Sequence, residues 1–281
     1  MERIAIVAGL RDALADLPRP LGLVPTMGAL HEGHMSLVRQ ARADNATVAA
    51  TIFVNPLQFG ANEDLARYPR STDQDLAMLE REGVDVVFTP PADEMYTPRF
   101  ATTVHVAGPS QRYEGDVRPG HFDGVATVVT KLLLQSLPDV AYFGRKDAQQ
   151  AAVVRRLVRD LDIPVRLHVV PTYREHDGLA ASSRNAYLTP DERAAAPALF
   201  RALSACRDRY RSGVQDADRL IAGCRTMLAA EPRFQTIDYV ALVDEETFAP
   251  WSGQGPCLMI AAVRMGRTRL IDNVVLEGVV E

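Results

Sequence analysis

Leu21-Gly22-Leu23-Val24-Pro25-Thr26-Met27-Gly28-Ala29-Leu30-His31-Glu32-Gly33-His34 runs from a short apolar stretch, through a glycine turn, into the opening of a helix. The apolar run Leu21 to Val24 stops at Pro25, and His34 to Arg42 has helical spacing with Met35, Leu37 and Val38 as its apolar positions. The same alternation recurs down the first half of the chain. Val48 to Val54 and Val84 to Phe88 are strand-like, and between them Ser71 or Thr72 caps a helix that runs to Arg81. Gly124 to Leu134 is helical, Val140 to Phe143 a strand, Ala148 to Leu161 a helix and Val165 to Val170 a strand. Ile4, Val7, Leu10 and Leu14 have helical spacing at the N-terminus. Strands alternating with helices predict βαβ units and a parallel α/β sheet. Ligands of such sheets bind beyond the carboxyl ends of the strands.

The pattern changes near residue 175. Thr189-Pro190-Asp191-Glu192 opens a helix predicted to reach Tyr210, and a second runs from about Asp216 to Ala230. Three strand-like runs follow, Ile237 to Val243, Cys257 to Val263 and Thr268 to Leu276. The expected organisation is an α/β domain over 1–175 and a smaller α+β domain over 176–281. Tyr173 to Leu188 reads as a hinge or active-site loop.

Composition narrows the function. Of 281 residues, 31 are Lys or Arg and 36 are Asp or Glu, a net charge of −5. That balance argues against nucleic-acid binding, which needs a basic footprint. No uncharged apolar run approaches the roughly 18–20 residues of a membrane span. Three cysteines without a CxxC pair, Cys206, Cys224 and Cys257, predict buried free thiols in a reducing compartment, the cytoplasm. Asn45-Ala46-Thr47 matches a glycosylation sequon and, in such a chain, reads as chance. Only two of the basic residues are lysines, Lys131 and Lys146. Where nearly every other position carries Arg, a retained Lys marks a site suited to a compact point charge.

Three clusters carry chemistry. In His31-Glu32-Gly33-His34 the histidines are three apart with glycine between, unlike the four-residue spacing of a zinc helix, and no third ligand lies nearby. Two imidazoles at a helix opening suit a polyphosphate instead, and Gly28 and Gly33 let backbone approach it. Gly144-Arg145-Lys146-Asp147-Ala148-Gln149-Gln150 again follows a strand and opens a helix, with Lys146 in reach of phosphate and Asp147 as a cap or a ribose partner. Asp177 to Asn185 is rich in small residues and ends in two hydroxyls and a guanidinium, which are phosphate-binding groups. Neither a GxxxxGK[ST] nor a GxGxxG motif is present.

Pro25 to His34 resembles the HxGH signature of the nucleotidyltransferase superfamily, in the form found in pantothenate synthetases. Phe53 to Gly60, Tyr68-Pro69-Arg70, Arg118 to Phe122, Gly144 to Gln150, Ser182 to Asn185 and Thr268 to Asn273 resemble that family's segments in the same order. HxGH alone marks the superfamily. Asn-Pro-x-Gln-Phe-Gly, Lys-Asp-x-Gln-Gln and Ser-Ser-Arg-Asn together mark the family. The resemblance implies condensation of pantoate with β-alanine, using MgATP, through a pantoyl-adenylate that releases pyrophosphate and then AMP. It implies an ATP site from Met27, Gly28, Ala29, Leu30, His31, Glu32, Gly33 and His34, with Gly144, Arg145, Lys146, Asp147, Tyr173, Ala181, Ser182, Ser183 and Arg184. His34, His31 and Lys146 would act in catalysis. Gln58 and Gln150 would hold pantoate, with Gln58 also near β-alanine. Asn55, Tyr68, Arg118 and His121 fall in the same region. No side chain is assigned to Mg²⁺, whose shell phosphate and water largely supply.

The family is typically homodimeric, with a Rossmann-like N-terminal domain and a C-terminal lid. Arg145, Ala148 and Tyr173 depart from the residues usual at their positions. The alternatives are an HxGH adenylyltransferase that moves AMP onto a phosphate, a tRNA ligase, disfavoured by the acidic charge, and a non-catalytic nucleotide sensor. The sensor would have little use for paired imidazoles together with Lys146 and a hydroxyl-rich clamp.

Overall fold

The structure, a computed structural model, describes residues 1–60 and 65–277. The chain packs as two compact units. One comprises Met1–Arg145 with Val153–Pro171, and the other Lys146–Ala152 with the chain from Thr172 onward.

The first unit is a six-stranded parallel sheet. Its strands are β1 (Glu2–Ile4), β2 (Leu21–Thr26), β3 (Thr47–Ile52), β4 (Val86–Phe88), β5 (Val140–Gly144) and β6 (Arg166–Val170), in the spatial order β1-β4-β3-β2-β5-β6. Helices α1 (Val7–Ala15), α2 (Glu32–Asp44), α3 (Thr72–Arg81), α4 (Ala92–Met95), α5 (Glu114–Val117), α6 (His121–Ser136) and α7 (Ala148–Asp160) follow the strands.

Alternate strand residues feed two cores. Leu23, Ala49, Phe88 and Phe143 pack with α1, α6 and α7, through Leu10, Leu133 and Val154. Val24, Ala50, Val87 and Tyr142 pack with α2 and α3, through Met35, Val38 and Leu79. A sheet covered on both faces explains why its strands read as near-continuous apolar runs. The strand order reverses between β2 and β5, so the switch point of the sheet lies beside the Met27–His31 loop.

Three local expectations are corrected. Ile4 is not in the first helix; it ends β1, paired with Phe88, and α1 starts at Val7. Pro25 does not end β2. Thr26 N–H and C=O face β3, so the Pro25 nitrogen faces β5, where pairing with β2 has already stopped at Leu23. The missing donor therefore costs no ladder bond.

The third correction lies in the second unit. The single helix expected from Thr189 to Tyr210 is two, α8 (Pro190–Ala195) and α9 (Ala198–Arg211), broken at Pro197, whose ring cannot continue the hydrogen-bond ladder. Thr189 does cap α8, in a box with Glu192. Helix α10 (Ala217–Ala229) follows, with Asp216 as its cap. Strands β7 (Thr236–Asp244), β8 (Cys257–Met265) and β9 (Thr268–Glu277) form an antiparallel sheet. It shares a core with α9 and α10 that includes Leu203, Leu220, Met259 and Val274. All three cysteines are buried and outside any disulfide.

Candidate active site

In the first unit the Met27–His34 loop is built around its two histidines. His31 is the N-cap of α2 and its Nδ1 accepts the Gly33 N–H at 3.1 Å. His34 Nδ1 accepts the His31 N–H at 3.3 Å, closing a capping box from imidazoles. The rings lie 4.1 Å apart, centroid to centroid, tilted by 41°. An Nδ1 that accepts carries no proton, so in the neutral ring the N–H sits on Nε2. Each imidazole thus caps the helix with one nitrogen and keeps a donor on the other. A helix opening of this kind favours anions through its N–H groups and dipole.

Gly28 and Ala29 both take positive φ, +81° and +51°. For Ala29 that is a strained conformation, and Asp75 on α3 holds it. The Asp75 carboxylate accepts the N–H groups of Ala29 and Leu30, each at 2.9 Å, and the Ser71 hydroxyl at 3.0 Å. Asp75 is 2% exposed. In the sequence it reads only as a charge near the start of a helix. Its two backbone partners are more than forty residues away, so no local pattern announces them.

Gln58 is buried in a short 3-10 turn, Pro56–Gln58, capped by the Asn55 side chain. Asn55 Nδ2 donates to Gln58 Oε1 at 3.1 Å and to the Gly124 carbonyl at 3.0 Å. Its Oδ1 accepts from Tyr96 Oη at 2.7 Å. Gln58 Nε2 reaches Met27 Sδ at 2.9 Å, which brings the two predicted ligand segments together. The Gln58 carbonyl is held by His121 Nδ1 at 2.9 Å and accepts from Arg118 at 3.3 Å. Gly124 makes this arrangement possible, since a Cβ there would stand 2.3 Å from the Leu57 carbonyl oxygen. Tyr96 lies outside every predicted segment; burial pushes its phenol above the usual range.

In the second unit, Lys146 lies in a 3-10 turn, Arg145–Asp147, that leads into α7. Its Nζ donates to Asp147 Oδ1 at 3.3 Å. Gln150 sits half-buried in the first turn of α7. Within the Tyr173–Leu188 segment, residues 173–181 form a tight hairpin and Ser183–Tyr187 a 3-10 turn. The Ala181 N–H donates to the Tyr173 carbonyl at 3.0 Å, so Tyr173 is tied through its backbone, and the residue is 39% exposed. Ala181 is buried, and Ser182 caps a 3-10 turn, Ser183–Tyr187, by accepting the Arg184 N–H at 3.3 Å. Arg193 fastens the hairpin by ion pairs to Glu175 and Asp177, each at 2.6 Å. The Arg193 guanidinium, with the Leu179 N–H, holds the Asp177 carboxyl below its usual range. Among the described residues, no three His, Cys, Asp or Glu side chains cluster as metal ligands.

Comparison with known proteins shows the family. The family model described as pantoate-beta-alanine ligase matches residues 2–275. The pantothenate synthetase of Roseiflexus sp. (strain RS-1) is 53% identical over 279 residues, 99% of this chain and 100% of that protein. The crystal structure of pantothenate synthetase from Thermus thermophilus superposes with a TM-score of 0.93 at 49% identity, covering 99% of this chain and 100% of that one. A pantoate-beta-alanine ligase from Francisella tularensis, complexed with beta-gamma ATP and beta-alanine, has a TM-score of 0.80 at 30% identity, with 98% of each chain covered.

Proposed function

Because the chain belongs to the pantoate–β-alanine ligase family and is an ATP-dependent ligase of pantoate and β-alanine, we propose that it works in two steps through a pantoyl-adenylate. In the first step a pantoate carboxylate oxygen attacks the α-phosphorus of ATP and pyrophosphate leaves. In the second the β-alanine amine attacks the acyl carbon, AMP leaves, and the amine gives up a proton. The observation that carries this reading is the imidazole capping box, which keeps two Nε2 donors at a helix opening beside the sheet's switch point.

His31 and His34 donate to phosphoryl oxygens as charge grows on them, and Lys146 follows that charge as a compact cation. Met27 to His34, Gly144 to Asp147, the Tyr173 backbone and Ala181 to Arg184 line the nucleotide. Gln58 and Gln150 hold pantoate by neutral amides, which bond hydroxyl and carboxylate oxygens without a strong ion pair. Gln58 also borders β-alanine. Magnesium enters as MgATP, with phosphate and water as its main ligands. Residues 1–175 serve as the ATP- and pantoate-binding domain and 176–281 as the lid. The working assembly is a homodimer in the cytoplasm, a compartment that suits three buried free thiols. Among the described residues no helix is long and apolar enough to cross a membrane.

ATP–pyrophosphate exchange tests the scheme. Exchange is expected with pantoate alone, and AMP release only after β-alanine is added. Exchange that requires β-alanine would overturn the stepwise order, and sedimentation would report the dimer.

A further inference from the structure

Two segments of the second unit that the proposed function assigns to ATP are tied to the same two consecutive residues of β9. Asn273 Nδ2 donates to the Lys146 carbonyl at 3.1 Å, across 127 positions of sequence. Asp272 takes Arg174 in a two-pronged ion pair, Nη1 to Oδ2 at 2.7 Å and Nη2 to Oδ1 at 3.0 Å. The same guanidinium donates to the Gly178 carbonyl at 3.2 Å and the Asn273 carbonyl at 3.1 Å. It lies over the Phe200 ring with Cζ 3.7 Å from the centroid. Arg174 also bridges to Ala180 across the hairpin that carries Ser182 to Arg184.

A pair this deep, with the Asp272 side chain 3% exposed, is weak grounds for a gain in stability, because desolvation offsets its attraction. Its geometry says more. Both carboxylate oxygens and both terminal guanidinium nitrogens are committed, so Arg174 has one orientation and the hairpin one register. Gly178 confirms how closely the hairpin is seated: at φ +94°, a Cβ there would come within 2.5 Å of Phe200.

We propose that Asp272 and Asn273 are positioning residues that set the Lys146 turn and the Ser182–Arg184 turn in place before ATP arrives. Asn273 acts on Lys146 through the backbone, and Asp272 acts on the serine turn through Arg174. The proposal rests on the reading that Lys146 and Ser182 to Arg184 hold ATP phosphates. Placement of that kind is worth much to phosphoryl transfer, where an error of about 1 Å costs on the order of 10²-fold.

The test is pantoate-dependent ATP–pyrophosphate exchange in the full chain, with Asn273→Ala, Lys146→Ala, the two combined, and Arg174→Gln/Asp272→Asn, which leaves no lone buried charge. Asn273→Ala is expected to lower kcat/KM for ATP at least ~10-fold while the KM for pantoate stays within about 2-fold. Added to Lys146→Ala, it is expected to cost less than about 2-fold, because the group it positions is gone. The Arg174→Gln/Asp272→Asn pair is expected to show the same split between ATP and pantoate, and it carries the test if Asn273→Ala does not fold. Unimpaired exchange by Lys146→Ala would remove the reading of Lys146, and this proposal with it. An impaired Lys146→Ala, with Asn273→Ala costing the same in both backgrounds or shifting both substrates alike, would make Asn273 a structural residue and overturn the proposal alone.

Discussion

The Asp75 carboxylate accepts the N–H of Ala29 at 2.9 Å, and Ala29 is held at φ +51°. A non-glycine residue in the left-handed region costs on the order of 1–3 kcal/mol and persists only where its surroundings impose it. Asp75 imposes it from the first turn of α3, and the loop so bent opens the helix capped by the two histidines.

Asp75→Asn puts an amide where two backbone N–H groups need acceptors. One of them loses its partner in a buried site, at about 1–3 kcal/mol. A lower melting temperature is expected, with ATP–pyrophosphate exchange reduced at least ~10-fold because the histidine loop loosens. Wild-type exchange in a destabilised but folded variant would show that the loop keeps its shape without the carboxylate.

His34→Ala removes an imidazole that caps α2 and, in the proposed mechanism, donates to phosphate. Loss of one preplaced donor typically costs roughly 10²–10³ in rate. Adenylate formation, measured by rapid quench, is expected to fall by that order with circular dichroism unchanged. A rate within about threefold of wild type would leave His34 as a cap alone.

Gln58→Glu changes little in volume and replaces a donor with an anion. In a buried turn, and with pantoate placed as proposed, it would face the substrate's carboxylate, and like charges there repel. Pantoate affinity is expected to drop while ATP affinity holds, in titrations with each ligand. Equal loss for both would assign Gln58 to structure.

Lys146→Arg and Lys131→Arg form a matched pair, since these are the chain's two lysines. Lys131 Nζ stands 5.2 Å from the Phe100 centroid, a contact that a guanidinium also makes. Lys131→Arg is therefore expected to be nearly silent. At Lys146 the broader, planar group keeps the charge and misplaces it, so adenylate formation is expected to slow at least ~10-fold with ATP still bound. Equal behaviour of the two variants would sink the idea that retained lysine marks function.

The alternation of strands and helices was legible because the inner strands β2, β3, β4 and β5 are buried on both faces, while helices such as α2 and α3 bury one. What escaped was either short or distant. Ile4 belongs to a strand of three residues, too brief to show a period. The break between α8 and α9 was written in Pro197, but the apolar spacing runs through it. The histidines stood out by spacing and glycine context, whereas their use of Nδ1 as cap acceptors depends on local backbone geometry that no spacing reveals. Asp75 and Tyr96 act on residues more than forty positions away. The Arg174–Asp272 pair spans 98. The signal for that pair was present as an acid and an amide, Asp272 and Asn273, between the apolar pair Leu270-Ile271 and the apolar run Val274 to Leu276.

The imidazole capping box also limits which residues positions 31 and 34 can accept. Serine, aspartate or asparagine would close the same helix end, since each offers an oxygen acceptor near its own backbone. Lysine or arginine would offer a phosphate donor with no acceptor for the cap. Imidazole carries an acceptor and a donor on separate nitrogens of one rigid ring, so a single side chain can fulfil both tasks in different directions. His31→Asp would separate the two: its carboxylate can still accept for the helix end, and it has no N–H to donate. Redesign of this loop for a different anion therefore starts from a histidine-free alphabet only if the helix is given another way to begin.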